Sequence, residues 1–385
     1  MAEGAGPEPS RARRSWMRLQ ARRGTAARAR RPLVGNPLVG SRLARRGRTS
    51  CGATRSRRLA AALGLAVAGA VLSGCGSSGI AASSPGTVAY VAIHTGLADP
   101  GDTVAALSTR TFQALPPVTT ASLPVALAAT PDGRRVLVAD EGAQQVTVLD
   151  ASNGHVTARV GVGLEPDAIA VTPDGHTALV ANFSDGTVTP IDLATMRAGP
   201  TIAVGPEPDA IAVTPDGRTA LVADFHSGTV TPIDLANMRA GPAVTVGPEP
   251  VAIAVLAGGS VALVACFQDS TLVPISLPSL VAGTPVAIAG NPTAIVTGPA
   301  GGHVAAYVAA GASVIPVGVP GPVVGRAVDV GTPVEGIALS GNGSTVWVTT
   351  TAGWAAPVDM AIGTVGQQVH VGGQPGAIVI PRPGG

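Results

Sequence analysis

The sequence predicts an all-β chain, a seven-bladed β-propeller of four-stranded blades, on three observations. Residues 166–207 and 208–249 are one 42-residue unit written twice, identical at 34 of 42 positions. A period of about 40–45 residues is the size of a four-stranded propeller blade. The phase runs on in both directions: Pro124, Pro166, Pro208, Pro250, Pro292, Pro333 and Pro375 are separated by 42, 42, 42, 42, 41 and 42 residues. Finally, the two ends of the repeat region supply complementary parts of a seventh unit, which closes the ring.

Each unit reads as four short strands. Its proline opens an apolar run such as Ala168-Ile169-Ala170 or Ala252-Ile253-Ala254. A turn follows, plainest as Thr-Pro-Asp-Gly at 130–133, 172–175 and 214–217, where proline fixes φ and glycine takes a conformation other residues resist. Ala178-Leu179-Val180-Ala181 is a second strand, 187–192 a third and 201–204 a fourth, with no helical periodicity between them. At the C-terminus, Pro375 to Ile380 is a first strand with nothing after it. At the N-terminus, 88–92, 103–107 and 117–120 read as second, third and fourth strands. Joining the two protects sheet edges that would otherwise recruit other chains.

The residues Ala-Ile-Ala-Val-Thr-Pro-Asp-Gly, then Leu179-Val180-Ala181-Asn182, then Val-Thr-Pro-Ile-Asp resemble YVTN-type β-propeller repeats. The likeness covers 87–381. It is strongest over 124–255 and worn over 256–345, where Ala257-Gly258-Gly259 and 299–302 replace the Pro-Asp-Gly turn. That family resemblance implies a scaffold with varied roles, so it speaks to fold far more than to activity.

The segment before the propeller is chemically different. All 25 basic residues are Arg; 16 precede Cys75 against two acids, 16 − 2 = +14, while the remainder carries 9 − 21 = −12. Residues 1–54 are expected to be a basic extension, with Met17 or a later codon as the true start. Residues 55–75 have the charged, apolar and small-residue zones of an export signal, and the apolar run 59–72 is short for a membrane span. Leu72-Ser73-Gly74-Cys75 resembles a bacterial lipoprotein lipobox, which implies cleavage before Cys75 and lipidation of its sulfur; Ser56-Arg57-Arg58-Leu59 resembles a twin-arginine signal. Residues 76–86, rich in Gly and Ser, read as a flexible tether, and 87–381 as the propeller. The chain is therefore expected outside the cytoplasm, held to the cell membrane by a lipid anchor alone or, alternatively, secreted.

Cysteine usage agrees, since Cys266 is left without a disulfide partner once Cys51 and Cys75 are set aside. Cys266 stands where sister units have Asn182 and Asp224, and reads as a buried small hydrophobe rather than a nucleophile. Scarce aromatics and the −12 charge argue against a nucleic-acid platform.

Strands in a blade alternate direction, so the loops joining strands 2 and 3 share one face with the inter-blade segments. That face collects Glu165, Asp167, Glu207, Asp209 and Glu249, together with Asn182, Phe183, Asp224, Phe225, His226 and Phe267. Carboxylates beside aromatic rings suit a cationic ligand. Asp132, Asp174 and Asp216 recur with the turns and are expected to serve them. No H-E-x-x-H, G-x-S-x-G, P-loop or zinc-spaced cysteine pair occurs. The expectation is a non-catalytic binding or interaction module of a bacterial envelope, monomeric, without a cofactor, whose partner is an envelope protein, peptide or polymer of cationic character. The alternative is a propeller hydrolase or lyase, lactonase-like, with a divalent metal at the channel mouth; Glu165, Asn182 and Asp224 partly imitate the ligand ring that such enzymes use.

Overall fold

The computed structural model describes residues 88–94, 102–298, 304–318, 322–340, 343 and 345–382. Cys75, the signal-like segment, the basic extension and the tether lie outside these. The described residues belong to one compact unit. Among the described residues, no helix is long and apolar enough to cross a membrane.

Seven antiparallel sheets follow one another around the unit. The first blade joins C-terminal Gln374–Val379 to Val88–His94, Thr103–Ser108 and Gln113–Thr119, with Ile378 opposite Val91 and Val379 opposite Tyr90. The second runs Pro124–Ala129, Arg135–Asp140, Gln145–Asp150 and Val156–Gly161. Blades three, four and five open with Pro166–Val171, Pro208–Val213 and Pro250–Val255; six and seven open with Pro292–Thr297 and Val334–Leu339. These first strands line the axis, each touching the next.

Two details differ from the sequence reading. The last units are phased on Val334 rather than Pro333: Val334 pairs with Thr350 as Pro292 pairs with Ala310, so the final intervals are 334 − 292 = 42 and 375 − 334 = 41. The fourth strand is also not continuous in blades three to seven. In blade three it breaks into Arg197–Ala198 and Ile202–Ala203. The cause lies one strand inward, at Pro190, Pro232, Pro274, Pro316 and Pro357. The Pro190 carbonyl accepts from Gly199 at 2.8 Å, so the N–H this residue lacks would also have faced the outer strand. Blades one and two have no proline at that point and keep unbroken outer strands.

The core is divided among the blade interfaces. Leu137, Val148 and Ile169 pack between blades two and three, and Leu263, Val308 and Ile315 between five and six. Small aliphatic side chains fill most of this space, as the low aromatic content requires. Where blades one and seven meet, Phe112 stacks on Trp347 with ring centroids 5.8 Å apart.

Candidate functional site

The two faces differ in charge: one carries both signs in balance, the other acids alone. The face with the 1–2 and 3–4 loops carries Arg110, Arg134, Arg135, Arg197, Arg218, Arg239 and Arg382, balanced by seven aspartates. Those aspartates close turns, as expected of Asp132, Asp174 and Asp216 and found also for Asp150, Asp192, Asp234 and Asp359. Thr172 donates to Asp174 at 2.6 Å and the His176 N–H at 3.0 Å, and these two bonds hold the Asp174 carboxyl below its ordinary range. The opposite face carries no arginine among its described loop residues. On it stand Asp102, Glu165, Asp167, Asp185, Glu207, Asp209, Glu249, Asp269, Asp329 and Glu335, with Asp140, Glu141 and Asp224 buried beneath.

Glu165, Glu207 and Glu249 share one conformation, with φ of 51°, 57° and 51°. A positive φ costs a non-glycine residue roughly 1–3 kcal/mol. The turn aims each glutamate's carbonyl at the 2–3 loop, where it accepts the N–H of Phe183, Phe225 or Phe267 at 2.8, 2.9 and 2.9 Å. Blade two makes the same clip with Leu123, at φ 55°, accepting from Glu141 at 2.8 Å. The clip therefore uses only the backbone, and the fold does not demand a carboxylate there.

The residue after each strand-opening position tells the same story. A β-bulge leaves it out of the ladder in blades two to seven, between Pro166 and Ala168 for example. The bulged residues are Val125, Asp167, Asp209, Val251, Thr293 and Glu335. Since valine and threonine serve as well, the acids at this ring are again not required by the fold. Sequence reading missed Glu335 because the Pro333 phase places it one residue out of step.

Asn182 and Asp224 have no solvent exposure. Each ends a second strand, and Asn182 ties its blade to the preceding inter-blade segment. Asn182 accepts from the Gly163 N–H at 3.1 Å and donates to Thr187 at 3.0 Å and Thr189 at 2.8 Å. Asp224 instead accepts from Thr229 at 3.1 Å and Thr231 at 2.6 Å. Burial raises the Asp224 carboxyl above its ordinary range, against those two bonds. Cys266, at the same place in blade five, is buried, and burial pushes its thiol up to about 11.

Phe183 and Phe267 are also buried, while Phe225 is half-buried; the rings of Phe183 and Phe225 lie 6.5 Å apart. Their edges support the face more than they cover it. What solvent meets is the acidic layer and its partners. Ser184 donates to Glu165 Oε2 at 2.5 Å, the Leu164 N–H donates to Asp185 at 2.7 Å, and His226 Nδ1 stands 3.9 Å from Glu207 Oε2 with its side chain 73% exposed. Among the described residues, no three His, Cys, Asp or Glu side chains gather closely enough to hold a metal ion.

No protein-family model and no curated sequence matches the chain. Solved structures do. A functionally unknown protein from Desulfotomaculum acetoxidans is 17% identical, over 77% of this chain and 99% of that one, with a TM-score of 0.68. The periplasmic gluconolactonase of Pseudomonas aeruginosa is 17% identical over 76% and 100%, with a TM-score of 0.62. Hydrazine synthase of Kuenenia stuttgartiensis is 18% identical over 68% and 90%, with a TM-score of 0.61. Likeness at this identity is likeness of fold.

Proposed function

We propose that this propeller is a non-catalytic binding module whose ligand surface is the acidic face, and that the ligand is a basic envelope protein, peptide or polymer. The observation that carries the reading is the placement of Glu165, Glu207, Glu249, Asp167 and Asp209 at positions where the same fold accepts Leu123, Val125 or Val251. The fold does not require a carboxylate at these positions, and together they build a field of one sign on one face. The His226 imidazole beside Glu207 and the half-buried Phe225 ring lie within that layer. Localisation on the outer side of a cell membrane through a lipidated Cys75 belongs to the same proposal.

Titration of residues 78–385 with an arginine-rich peptide tests it, the basic N-terminal segment being left out because it would compete. Replacing Glu165, Glu207 and Glu249 together with Gln is expected to weaken binding at least about tenfold and to flatten its salt dependence. Unchanged affinity would sink the proposal. The lactonase-like alternative draws support from the fold of the Pseudomonas enzyme; turnover of a sugar lactone by the purified chain would favour it.

A further inference from the structure

We infer that the axial channel behind the acidic face receives one guanidinium or ammonium group from a basic peptide segment, with Glu335 as the carboxylate that accepts it. This rests on the acidic face being the ligand surface, and adds where the ligand's deepest group goes.

The placement follows from the bulges. A first strand spends one edge pairing with the second strand of its blade; its other edge faces the axis of the ring. A residue expelled from that ladder has its side chain re-aimed, as at Thr293, whose Oγ1 donates to the Val334 carbonyl on the inner strand of the next blade at 2.9 Å. Glu335 is such a residue, lying between Val334, paired with Thr350, and Gly336, paired with Thr349. It is the second residue of the innermost strand of blade seven, four residues beyond the left-handed turn at Gly331. In a ring of seven, blade seven lies across the axis from blades three and four, whose bulged residues are Asp167 and Asp209.

Glu335 has no hydrogen bond or ion pair among the described residues. Its side chain keeps some solvent contact, yet protein encloses it so closely that burial alone pushes its pKa up to about 7. Three residues earlier on the same segment, Thr332 Oγ1 is buried without a hydrogen-bond partner. An unpaired carboxyl in such a place is costly to ionise, and nothing in the fold asks for it, since Val125, Val251 and Thr293 fill the equivalent bulge elsewhere. A cation brought to it restores the missing partner. Among the described residues no three acidic, histidine or thiol groups converge on a metal-sized point, and a single carboxylate suits a cation carried on a stem. The breadth of the acidic layer outside, spread over consecutive blades, favours a basic segment over a small free amine.

The test uses residues 78–385 and a short arginine–glycine peptide as probe, against three proteins: the native sequence, Glu335→Gln, and the triple Glu165→Gln, Glu207→Gln, Glu249→Gln. Carboxyl-labelled glutamate lets the titration of Glu335 be followed directly. The inference predicts that the peptide lowers the Glu335 pKa and that Glu335→Gln binds at least about tenfold more weakly, with no loss of melting temperature. If Glu335→Gln binds like the native sequence while the triple variant binds weakly, the channel inference is overturned and the face stands as ligand surface. If neither variant weakens binding, the reading of the face falls too. Spermidine binding as tightly as the peptide, with the same dependence on Glu335, would overturn the assignment to a peptide.

Discussion

Thr231 donates to Asp224 Oδ2 across 2.6 Å, while Oδ1 of the same buried carboxylate has no hydrogen-bond partner. In the twin blade, Asn182 at this position bonds with both ends of its amide. One blade thus carries a satisfied lock and its neighbour an unsatisfied one, within sequences that differ at eight positions. Asp224→Asn copies the satisfied arrangement, so it is expected to stabilise the protein by about 1 kcal/mol. Denaturant unfolding of the two proteins at neutral pH checks it.

Gly205 faces that lock. A Cβ added there would lie 2.3 Å from Asp224 Cγ, and one added at Gly163 would lie 2.6 Å from Asn182 Cγ. Neither neighbour can retreat, because each is held by threonines on the next strand. Gly205→Ala is therefore expected to cost about 1–3 kcal/mol, read as a lower melting temperature, whereas Gly161→Ala, with nothing within 4 Å, is expected to be near neutral.

The stability of the unliganded protein should fall as pH rises through the window set by Glu335. Its folded pKa is raised from the ordinary 4.5 to about 7 by burial. Between those values the folded state holds a proton that the unfolded chain has released, so the penalty is absent below about 4.5 and complete above about 7. Asp140 and Asp224, both raised by burial, push in the same direction. Asp174 and Asp216 push the other way, since bonds to Thr172 and Thr214 lower them and that contribution is lost as acid protonates them. Melting temperature against pH should show a decline between 5 and 7.5 (roughly the Glu335 window) that Glu335→Gln reduces.

Ring closure should be essential to cooperative folding. Gln374–Val379 supplies the innermost strand of blade one, and Ile378 and Ile380 pack with Trp347 and Leu107 at the closing interface. Removal of 374–385 exposes the edge of Val88–His94 and is expected to turn a single unfolding transition into a broad one with aggregation, seen by calorimetry and light scattering.

The fold was legible because its signals are local and repeated. The Pro-Asp-Gly turns recur in three consecutive units, the 42-residue phase runs the length of the repeat region, and the complementary ends close it. Broken outer strands were not legible as such, although Pro190 and its counterparts were their cause; the side of a strand that a missing N–H faces depends on pairing. At the site, the acidic arc could be read from topology, but the depth of its members could not. Asn182, Asp224, Phe183 and Phe267 share that face by loop position, yet their side chains turn inward to lock and pack the blades. Glu335 was hidden for the opposite reason: a one-residue slip of the worn repeat at Pro333 disguised its place in the ring.

Hydrogen exchange of residues 78–385 with and without an arginine-rich peptide tests the ligand surface most directly. Slowed exchange is expected in 163–169, 183–187, 205–211, 225–229 and 247–253, on the acidic face and the strands that leave it. The turns at 130–133, 172–175 and 214–217, on the opposite face, should not change. Protection confined to those turns, or binding that protects neither face, would contradict it.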